Sequence, residues 1–333
     1  MIDCLFISII IPCRNEEIFI GKCLGSLLEQ DWPKDRMEIL VVDGSSEDKT
    51  KEIIHEYSKR YPFIRLLNNP NKFTPFAFNI GVKESKGELI FLMSAHAGYK
   101  KDYISKCVKY LEEHNADNIG GIMKTLPREN TLISRAIVLA LSSSFGVGNS
   151  KFRKGAVKPM WVDTVFGGCY RKEVFNKIGL FNENLIRSQD MEFNIRLKKA
   201  GGKILLHPEI ISYYYPKATN LIKFFLYNIK NGIWIIYSSK FTKKTLRIRH
   251  YISFLFVLAL LITGLLGIFN LYFWFIFLFI LTLYFLINFY FSIKIAIKEK
   301  ELKYIFIMPI AFMSRHISYG IGSFLGIIKL LKK

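Results

Sequence analysis

Short apolar runs alternate with amphipathic segments through the first half of the chain. The runs are rich in β-branched residues and lie at residues 7–12, 39–42, 64–67, 89–93 and 119–123. Runs of this kind are typical of strands buried on both faces of a parallel sheet. The segments between them have apolar positions on one helical face and lie at residues 17–29, 48–60, 74–85 and 102–114. The alternation predicts an α/β fold, with a mostly parallel, doubly wound sheet and right-handed crossovers.

One internal stretch breaks this alternation. Residues 142–160 carry Ser-Ser-Ser, then Gly-Val-Gly-Asn-Ser, and then several basic residues. Long Gly/Ser-rich stretches inside a compact domain are usually lids or disordered connections. We therefore expect residues 142–160 to be a mobile lid or an irregular linker.

The hydrophobic residues concentrate in the C-terminal part of the chain. Overall, 51% of the residues are hydrophobic, and the mean hydropathy of +0.22 is high for a soluble enzyme. Residues 252–269 and 271–293 each approach the roughly 20 residues that cross a bilayer. A third segment, 304–330, contains Pro309, Arg315 and His316, so it is either a polar-faced span or an interfacial helix. Buried core helices are the alternative interpretation of this tail.

These patterns divide the chain into two predicted domains. Residues 1–237 form the α/β domain, and its last part, 219–237, is aromatic and amphipathic enough to lie along a membrane surface as an interfacial helix. Residues 238–333 form a membrane anchor with two to three transmembrane helices at about 252–269, 271–293 and 304–330.

The charge of the chain fits this membrane interpretation. The formal net charge is +20, which could also indicate nucleic acid. However, lysines and arginines cluster at residues 240–249 and 294–303, on either side of apolar segments. This placement is typical of cytoplasmic flanks that contact anionic headgroups, so we predict a membrane partner and no nucleic acid.

The N-terminus and the cysteines indicate the compartment. Charged Asp3 follows Met1, and the first apolar stretch ends at a proline, so the N-terminus does not resemble a signal peptide. The five cysteines form no CxxC spacing, which argues against a zinc site and fits a reducing environment. We therefore predict a cell (inner or plasma) membrane protein, multi-pass, with a cytoplasmic α/β domain.

Polar residues follow the first two strands. Pro12, Arg14 and Glu16 lie at the end of the first strand, and Asp43 ends the second. Because the carboxyl ends of parallel strands open onto one crevice, this set predicts a nucleotide site. The alternative for Asp43 is a turn aspartate that caps the next helix.

Two further positions carry candidate chemistry. The strand at 89–93 leads into Ser94 and His96, and a neutral imidazole there could ligate Mn²⁺, whereas Mg²⁺ prefers oxygen. A hydrogen-bonded structural histidine is the alternative. Asp190 lies in the first turn of a predicted helix, where the helix N-terminus stabilises a carboxylate. Glu192 and Arg196, one turn apart, are expected to pair.

Taken together, these motifs resemble a known family. The chain is similar to family-2 glycosyltransferases of the GT-A fold, in particular to the membrane-anchored exopolysaccharide branch that includes succinoglycan glycosyltransferases. The matching segments are Pro12-Cys13-Arg14-Asn15-Glu16, Val41-Val42-Asp43-Gly44-Ser45-Ser46, Asn79-x-Gly81, Lys86-Gly87-Glu88, Gly167-Gly168, Gln189-Asp190 and Arg315-His316 with its following residues.

The resemblance implies transfer of a sugar from a nucleotide diphosphate sugar to a lipid-linked saccharide, with inversion, in cell-surface or exopolysaccharide synthesis. It implies that Asp190 is the general base and that His96 is a ligand of a divalent metal, Mn²⁺ or Mg²⁺. The residues that it assigns to nucleotide-sugar binding are Pro12, Arg14, Glu16, Asp43 and Ser94. Gly167, Gly168 and Gln189 would form the loop around the donor sugar and the acceptor.

The sequence departs from the family pattern at two positions. The family usually has Asp-x-Asp after the fourth strand, and the similar branch has Asp-Ala-His-Ala. Here Ser94-Ala95-His96-Ala97 replaces the first carboxylate by a hydroxyl, and Gln189 replaces the usual Glu. Two alternatives therefore stay open: a weakened or inactive transferase that acts as a binding or assembly subunit, and a polyprenyl-phosphate sugar synthase.

Overall fold

The chain forms two compact units. A computed structural model describes residues 5–242 and 250–331. The first unit comprises Met1–Thr125 and Lys151–Tyr215, and the second comprises Leu126–Ser150 and Pro216–Lys333. The chain therefore leaves the first unit after residue 125 and returns to it at 151. The domain boundary at residue 237 stays a sequence-based prediction.

The strands all lie in the first unit and belong to one sheet. They are β1 Ile7–Cys13, β2 Met37–Asp43, β3 Ile64–Asn68, β4 Leu89–Leu92, β5 Ala97–Tyr99, β6 Asn118–Thr125, β7 Met160–Trp161, β8 Phe166–Arg171 and β9 Ile204–Tyr214.

The helices are divided between the two units. In chain order they are α1 Ile20–Leu28, α2 Thr50–Arg60, α3 Thr74–Glu84, α4 Tyr103–Glu113, α5 Leu132–Ser142, α6 Ser144–Val147, α7 Lys151–Lys154, α8 Lys172–Ile178, α9 Gln189–Lys199, α10 Leu221–Tyr237, α11 Ser239–Thr242, α12 Ile252–Gly267, α13 Leu271–Glu299 and α14 Tyr304–Leu331. A 3₁₀ turn, Lys34–Arg36, precedes β2. Helices α5, α6 and α10 to α14 belong to the second unit.

The sheet has the order β3-β2-β1-β4-β8-β6-β9-β5, and β7 pairs with β9. Strands β3, β2, β1 and β4 are parallel, as are β6 and β9. Strand β8 runs antiparallel to both β4 and β6. The predicted α/β class is confirmed, and the sheet is mixed where the sequence predicted it to be mostly parallel. The sequence did not predict the antiparallel strand because β8 (FGGCYR) lacks the β-branched run by which the parallel strands were identified.

Two apolar layers hold the sheet. Every residue of β2 is buried, and Ile9, Ile10 and Ile11 of β1 are fully buried. Their alternating side chains enter separate core clusters, with Ile9 and Ile11 on one face of the sheet and Ile10 on the other. Each such side chain contributes about 1.5–3 kcal/mol relative to its exposed state. Burial on both faces fixes the register that brings the strand ends together.

The second unit is helical and contains a close helix pair. Helices α10 and α14 approach so closely that a Cβ at Gly322 would lie 2.2 Å from the Ile229 carbonyl oxygen. Arg315 of α14 donates to Asn228 Oδ1 of α10 at 2.8 Å and also to the Gly146 carbonyl. His316 Nε2 lies 2.9 Å from the Phe145 carbonyl oxygen. The polar residues of the third apolar segment thus bind α6 and α10, so their position in the tail has a structural cause.

Among the described residues, α13 is the one helix that is long and apolar enough to cross a membrane. Helix α12 has 16 residues, which span about 24 Å at 1.5 Å per residue, short of a roughly 30 Å hydrocarbon layer. The predicted helices at 252–269 and 304–330 are thus present, but among the described residues only α13 meets the length and composition of a membrane span, so the predicted multi-pass anchor is not supported. The interfacial position of α10 stays a prediction, and the basic residues at 243–249 lie outside the described residues.

The stretch at residues 142–160 is ordered, contrary to the sequence-based expectation. It contains the two short helices α6 and α7 and the first residue of β7. Phe152 and Met160 pack against the buried cluster that includes Val165 and Tyr170. These apolar residues anchor α7, and their signal was hidden by the surrounding glycines, serines and lysines.

Candidate active site

The carboxyl ends of β1 and β2 are joined by the Asp43 side chain. Asp43 is 1% exposed. Its Oδ2 accepts from the Ser46 backbone N–H at 3.0 Å, and its Oδ1 accepts from the Ser46 hydroxyl and from Cys13 Sγ. Lys51 Nζ lies 3.6 Å from Oδ2. Both carboxylate oxygens therefore bind the turn that follows β2, whereas α2 begins only at Thr50 and its N-cap residue, Lys49, makes no side-chain cap.

A second set of contacts joins the residues after β1 to the same turn. Asn15 adopts a left-handed backbone conformation, φ 53°, and its N–H donates to Ser46 Oγ at 2.9 Å. The Glu16 N–H donates to Thr50 Oγ1 at 2.8 Å. Arg14 is half-buried, and its guanidinium lies 3.9 Å from Glu47. Pro12, half-buried, pairs with Val42 in the sheet. These contacts fix Arg14 and Glu16 beside the β2 turn.

The end of β4 brings three predicted site residues together. His96 Nδ1 lies 2.9 Å from Glu16 Oε1 and 3.4 Å from Ser94 Oγ. The Glu16 residue is 2% exposed, whereas the His96 side chain is 18% exposed. The His96 ring also packs on Tyr214 of β9, with ring centroids 5.2 Å apart. The end of β4 therefore presents an imidazole that a buried carboxylate orients.

The donor groups fit a divalent metal in part. Within residues 5–242 and 250–331, no three His, Cys, Asp or Glu side chains are grouped so that they could hold an ion. In the same ranges, His96 Nε2 makes no hydrogen bond, while Nδ1 contacts Glu16. A carboxylate on one ring nitrogen is the usual support of a metal-ligating imidazole. His96 and the Ser94 hydroxyl thus suit an ion that takes its other ligands from phosphate oxygens and water.

Gly167 and Gly168 lie in β8 rather than in a loop. Gly167 has φ +64°, a conformation that favours glycine, and its carbonyl accepts from the Tyr103 hydroxyl at 2.8 Å. A Cβ at Gly168 would lie 2.5 Å from Asn118 Oδ1. The adjacent β6–β8 pairing shifts register between Ile119 and Gly121. The two glycines therefore permit a close, irregular pairing beside the strand ends.

Asp190 and Gln189 occupy the first turn of α9. Asp190 is exposed to solvent, and its carboxylate accepts hydrogen bonds from its own N–H and that of Met191. Desolvation by the surrounding protein raises the pKa of Asp190, and these two hydrogen bonds oppose the shift. The Asp190 charge in turn helps burial to raise the pKa of Tyr170. Asp190 is thus a solvent-exposed carboxylate whose pKa lies above that of an ordinary aspartate.

Polar side chains hold α9, and the sequence predicted the Glu192–Arg196 pair but not the role of Asn194. Asn194 is 1% exposed, accepts from the Tyr170 hydroxyl at 3.1 Å and donates to Thr164 Oγ1 at 3.1 Å. Arg196 pairs with Glu192 at 2.7 Å, as the spacing predicted, and donates to the Leu180 carbonyl at 2.8 Å. Their signal, polar residues at positions i, i+2 and i+4 of a short helix, is not distinctive in one sequence.

Asn79 supports the segment that precedes α9. Its Nδ2 donates to the Phe181 carbonyl at 3.0 Å and to Glu183 at 2.9 Å, and its Oδ1 accepts from the Phe181 N–H at 2.9 Å. Asn79 was singled out by the family resemblance alone. The contacts show why an amide is required there, since both its donor and its acceptor are used.

The family assignment follows from comparison with known proteins. Residues 8–179 match the sequence profile described as glycosyl transferase family 2. That match spans β1 to α8 and includes Glu16, Asp43, Ser94 and His96. The chain belongs to glycosyltransferase family 2. It is therefore an enzyme of the glycosyltransferase class, as the motifs predicted.

The relatives and the solved structures agree with this assignment. The chain is 34% identical, over 97% of its length and 98% of the relative's, to a dolichyl N-acetyl-α-D-glucosaminyl phosphate 3-β-D-2,3-diacetamido-2,3-dideoxy-β-D-glucuronosyltransferase of Methanococcus voltae. It is 29% identical, over 66% of each chain, to the succinoglycan biosynthesis protein ExoA of Rhizobium meliloti. The predicted family-2 membership is confirmed.

A mannosyltransferase of Pyrobaculum calidifontis, solved with GDP-Man and Mn²⁺, has a similar fold. The TM-score is 0.55 at 17% identity, over 74% of this chain and 67% of the other. The predicted GT-A fold is confirmed by this likeness. The ligands of that structure are its own, and roles for them here belong to a proposal.

Proposed function

We propose that this glycosyltransferase moves a sugar from a nucleotide diphosphate sugar to a saccharide carried on a polyprenyl phosphate. The observation that carries the proposal is the 34% identity over 97% of the chain to a protein named for a dolichyl N-acetylglucosaminyl phosphate acceptor. The acceptor that we propose is therefore a polyprenyl phosphate that bears N-acetylglucosamine or a similar sugar.

The proposed chemistry is a single displacement with inversion. The acceptor hydroxyl oxygen attacks the anomeric carbon while the bond from that carbon to the diphosphate oxygen breaks. Asp190 accepts the hydroxyl proton, and the nucleoside diphosphate leaves with the bonding electron pair. This role requires an ionised carboxylate that substrate can reach, which the exposure of Asp190 supports. A raised pKa makes that carboxylate a stronger base.

The strand ends provide the proposed donor site. Pro12, Arg14 and Glu16 would border the nucleotide, and Ser94 would contact its phosphates. Asp43 would shape the base-binding turn rather than bind the base itself, because the residue is 1% exposed and its side chain already accepts from Ser46 and Cys13. Gly167, Gly168 and Gln189 would border the donor sugar and the acceptor.

A divalent metal, Mn²⁺ or Mg²⁺, belongs to the proposal as well. His96 would hold the ion, with Glu16 orienting the imidazole and the Ser94 hydroxyl close by. When bound, the ion would offset the negative charge that develops on the leaving diphosphate.

We also propose that the second unit anchors the enzyme in a cell membrane with the first unit on the cytoplasmic side. Support comes from α13 and from its exposed aromatic and aliphatic side chains, such as Phe275, Phe279 and Leu286. The lipid part of the acceptor would then lie in the same bilayer.

A transfer assay on the full chain in liposomes tests this function. Panels of UDP- and GDP-sugars would be offered with polyprenyl phosphate-linked N-acetylglucosamine or with polyprenyl phosphate alone, and products identified by mass spectrometry. We expect product from the sugar-bearing lipid only. Product from polyprenyl phosphate alone would indicate the synthase alternative. No product with any donor, from protein that binds nucleotide, would indicate the binding-subunit alternative.

A further inference from the structure

The short helix α7 places a cationic side chain in the first unit that no motif assigned. Phe152 of α7 packs against the buried cluster on one face of the sheet, and α7 contacts β6. Arg153 follows Phe152, and its guanidinium carbon lies 5.5 Å from the centre of the Phe152 ring. The packing of Phe152 thus fixes the position of the Arg153 backbone beside the sheet.

The Tyr214 ring lies between Arg153 and His96 at the end of β4. The Arg153 guanidinium carbon lies 5.7 Å from the centre of the Tyr214 ring. The Tyr214 ring in turn lies 5.2 Å from the His96 ring and contacts Phe166 edge-on at 5.4 Å. One ring therefore separates the Arg153 guanidinium from the imidazole that Glu16 orients.

Arg153 is half-buried, and one nitrogen of its guanidinium lacks the hydrogen-bond partner that a buried polar atom normally has. Its Nη1 atom is buried and makes no hydrogen bond to any described residue. Within the described ranges no carboxylate forms an ion pair with Arg153 either. Buried polar atoms are nearly always hydrogen-bonded, so leaving Nη1 without an acceptor is costly. A cation–π contact with Tyr214 offsets only part of that cost. The Arg153 guanidinium can therefore still bind an anion through Nη1.

We propose that Arg153 binds the diphosphate of the sugar nucleotide donor and stabilises it as the leaving group. A planar guanidinium matches phosphate oxygens with two parallel hydrogen bonds. The proposal explains how the site functions with Ser94 where the family has a carboxylate, because Arg153 supplies positive charge that the weakened metal site would otherwise have to provide. This inference rests on the proposed function, since it takes a nucleotide diphosphate as the ligand.

Nucleotide binding by the full-length protein in detergent tests the inference. UDP, GDP, UMP and GMP would be titrated by calorimetry, with and without Mn²⁺, into the wild type and into the variants Arg153→Gln and Arg153→Lys. Lys154→Gln is the matched control, because Lys154 is the exposed neighbour on the same helix.

We expect Arg153→Gln to weaken the preferred diphosphate about tenfold or more, and to weaken the matching monophosphate much less. Arg153→Lys should be intermediate, and Lys154→Gln should behave as the wild type. The loss should be largest without Mn²⁺. Diphosphate affinity unchanged in Arg153→Gln would overturn the inference and leave the proposed function standing.

Wild-type protein that binds neither UDP nor GDP would contradict the proposed function, and this inference with it. A second measurement covers the case in which Arg153→Gln does not fold. Phenylglyoxal labelling of Arg153 in the wild type, followed by mass spectrometry, should slow when the diphosphate is bound. Labelling at the same rate with and without the diphosphate would overturn the inference.

Discussion

The ends of β2 and β4 lie in the same parallel part of the sheet but differ in what their side chains still have to bind. At the β2 end, the Asp43 carboxylate is 1% exposed, and its oxygens accept from Ser46 and Cys13 and contact Lys51. At the β4 end, the His96 side chain is 18% exposed and one of its nitrogens contacts Glu16.

From this difference we propose that Asp43, although it belongs to a conspicuous motif, does not contact the ligand. The Asp43 carboxylate stabilises the turn at Ser46 by accepting its hydrogen bonds. Removing the carboxylate would leave these buried donors without acceptors, which lowers the free energy of unfolding. A partly exposed imidazole with an oriented ring can take up a ligand at little structural cost. We therefore propose that the β2 end shapes the site and that the β4 end holds phosphate.

The largest expected effect comes from Asp190, which belongs to neither strand end. Asp190→Asn should lower the rate of sugar transfer by about 10²–10⁴-fold, because an amide cannot accept the acceptor proton. Nucleotide affinity should stay within twofold, since neither strand end changes. Steady-state transfer rates and calorimetry check both values. A transfer rate within about threefold of the wild type would remove Asp190 as the base.

The next largest effect should be on protein stability, and it should differ between substitutions at the two strand ends. Asp43→Ala should lower the free energy of unfolding by about 1–3 kcal/mol, because it leaves the Ser46 donors without acceptors in a buried turn. Ser94→Ala is the control at the β4 end and should change stability by less than about 0.5 kcal/mol. Thermal or denaturant unfolding in detergent measures both. An equal loss of unfolding free energy in the two variants would contradict the distinction between a structural β2 end and a ligand-binding β4 end.

Metal affinity should respond to Glu16, which follows β1 and contacts His96 at the β4 end. Glu16→Gln should weaken Mn²⁺ binding in the presence of nucleotide by about 10–100-fold, because the amide orients the His96 imidazole less well and lowers its basicity. Glu17→Gln, at the exposed neighbouring position, is the control and should bind Mn²⁺ as the wild type does. Calorimetric titration compares them, and the same weakening in both would argue against the His96 site.

The smallest expected effect concerns pH. Desolvation by the protein around the first turn of α9 raises the pKa of Asp190 above its ordinary value of 3.8. The base must be ionised, so the transfer rate should fall as the pH drops through this raised pKa, and hence at a higher pH than for an ordinary aspartate. The residual rate of Asp190→Asn should lack this limb. A limb that persists unchanged in the variant would belong to another group.

How far the sequence alone reaches can be judged from these elements. Strands β1, β2 and β4 were predictable because their apolar runs are local. Strand β8 was not, since its glycines serve a pairing with β6 and β4 that only the fold creates. The residues of the β4 end were named from the sequence, but the contact between Glu16 and His96 joins positions 80 residues apart.

Arg153 was missed for a related reason. It lies among glycines, serines and lysines that indicate a loop, and its environment depends on Tyr214, which is distant in the chain. The saturation of Asp43 likewise depends on the conformation of the turn at Ser46 and on a thiol from the neighbouring strand. Residue type is local information, whereas the number of partners that a side chain has left to bind is not.

The most direct test of the assignment of phosphate and metal to the β4 end is electron spin echo envelope modulation on Mn²⁺ bound with the preferred nucleoside diphosphate. The wild type should show nitrogen coupling from a coordinated imidazole. This coupling should vanish in His96→Gln and persist in Asp43→Asn. A wild-type spectrum without imidazole coupling, or a coupling that survives in His96→Gln, would contradict the assignment.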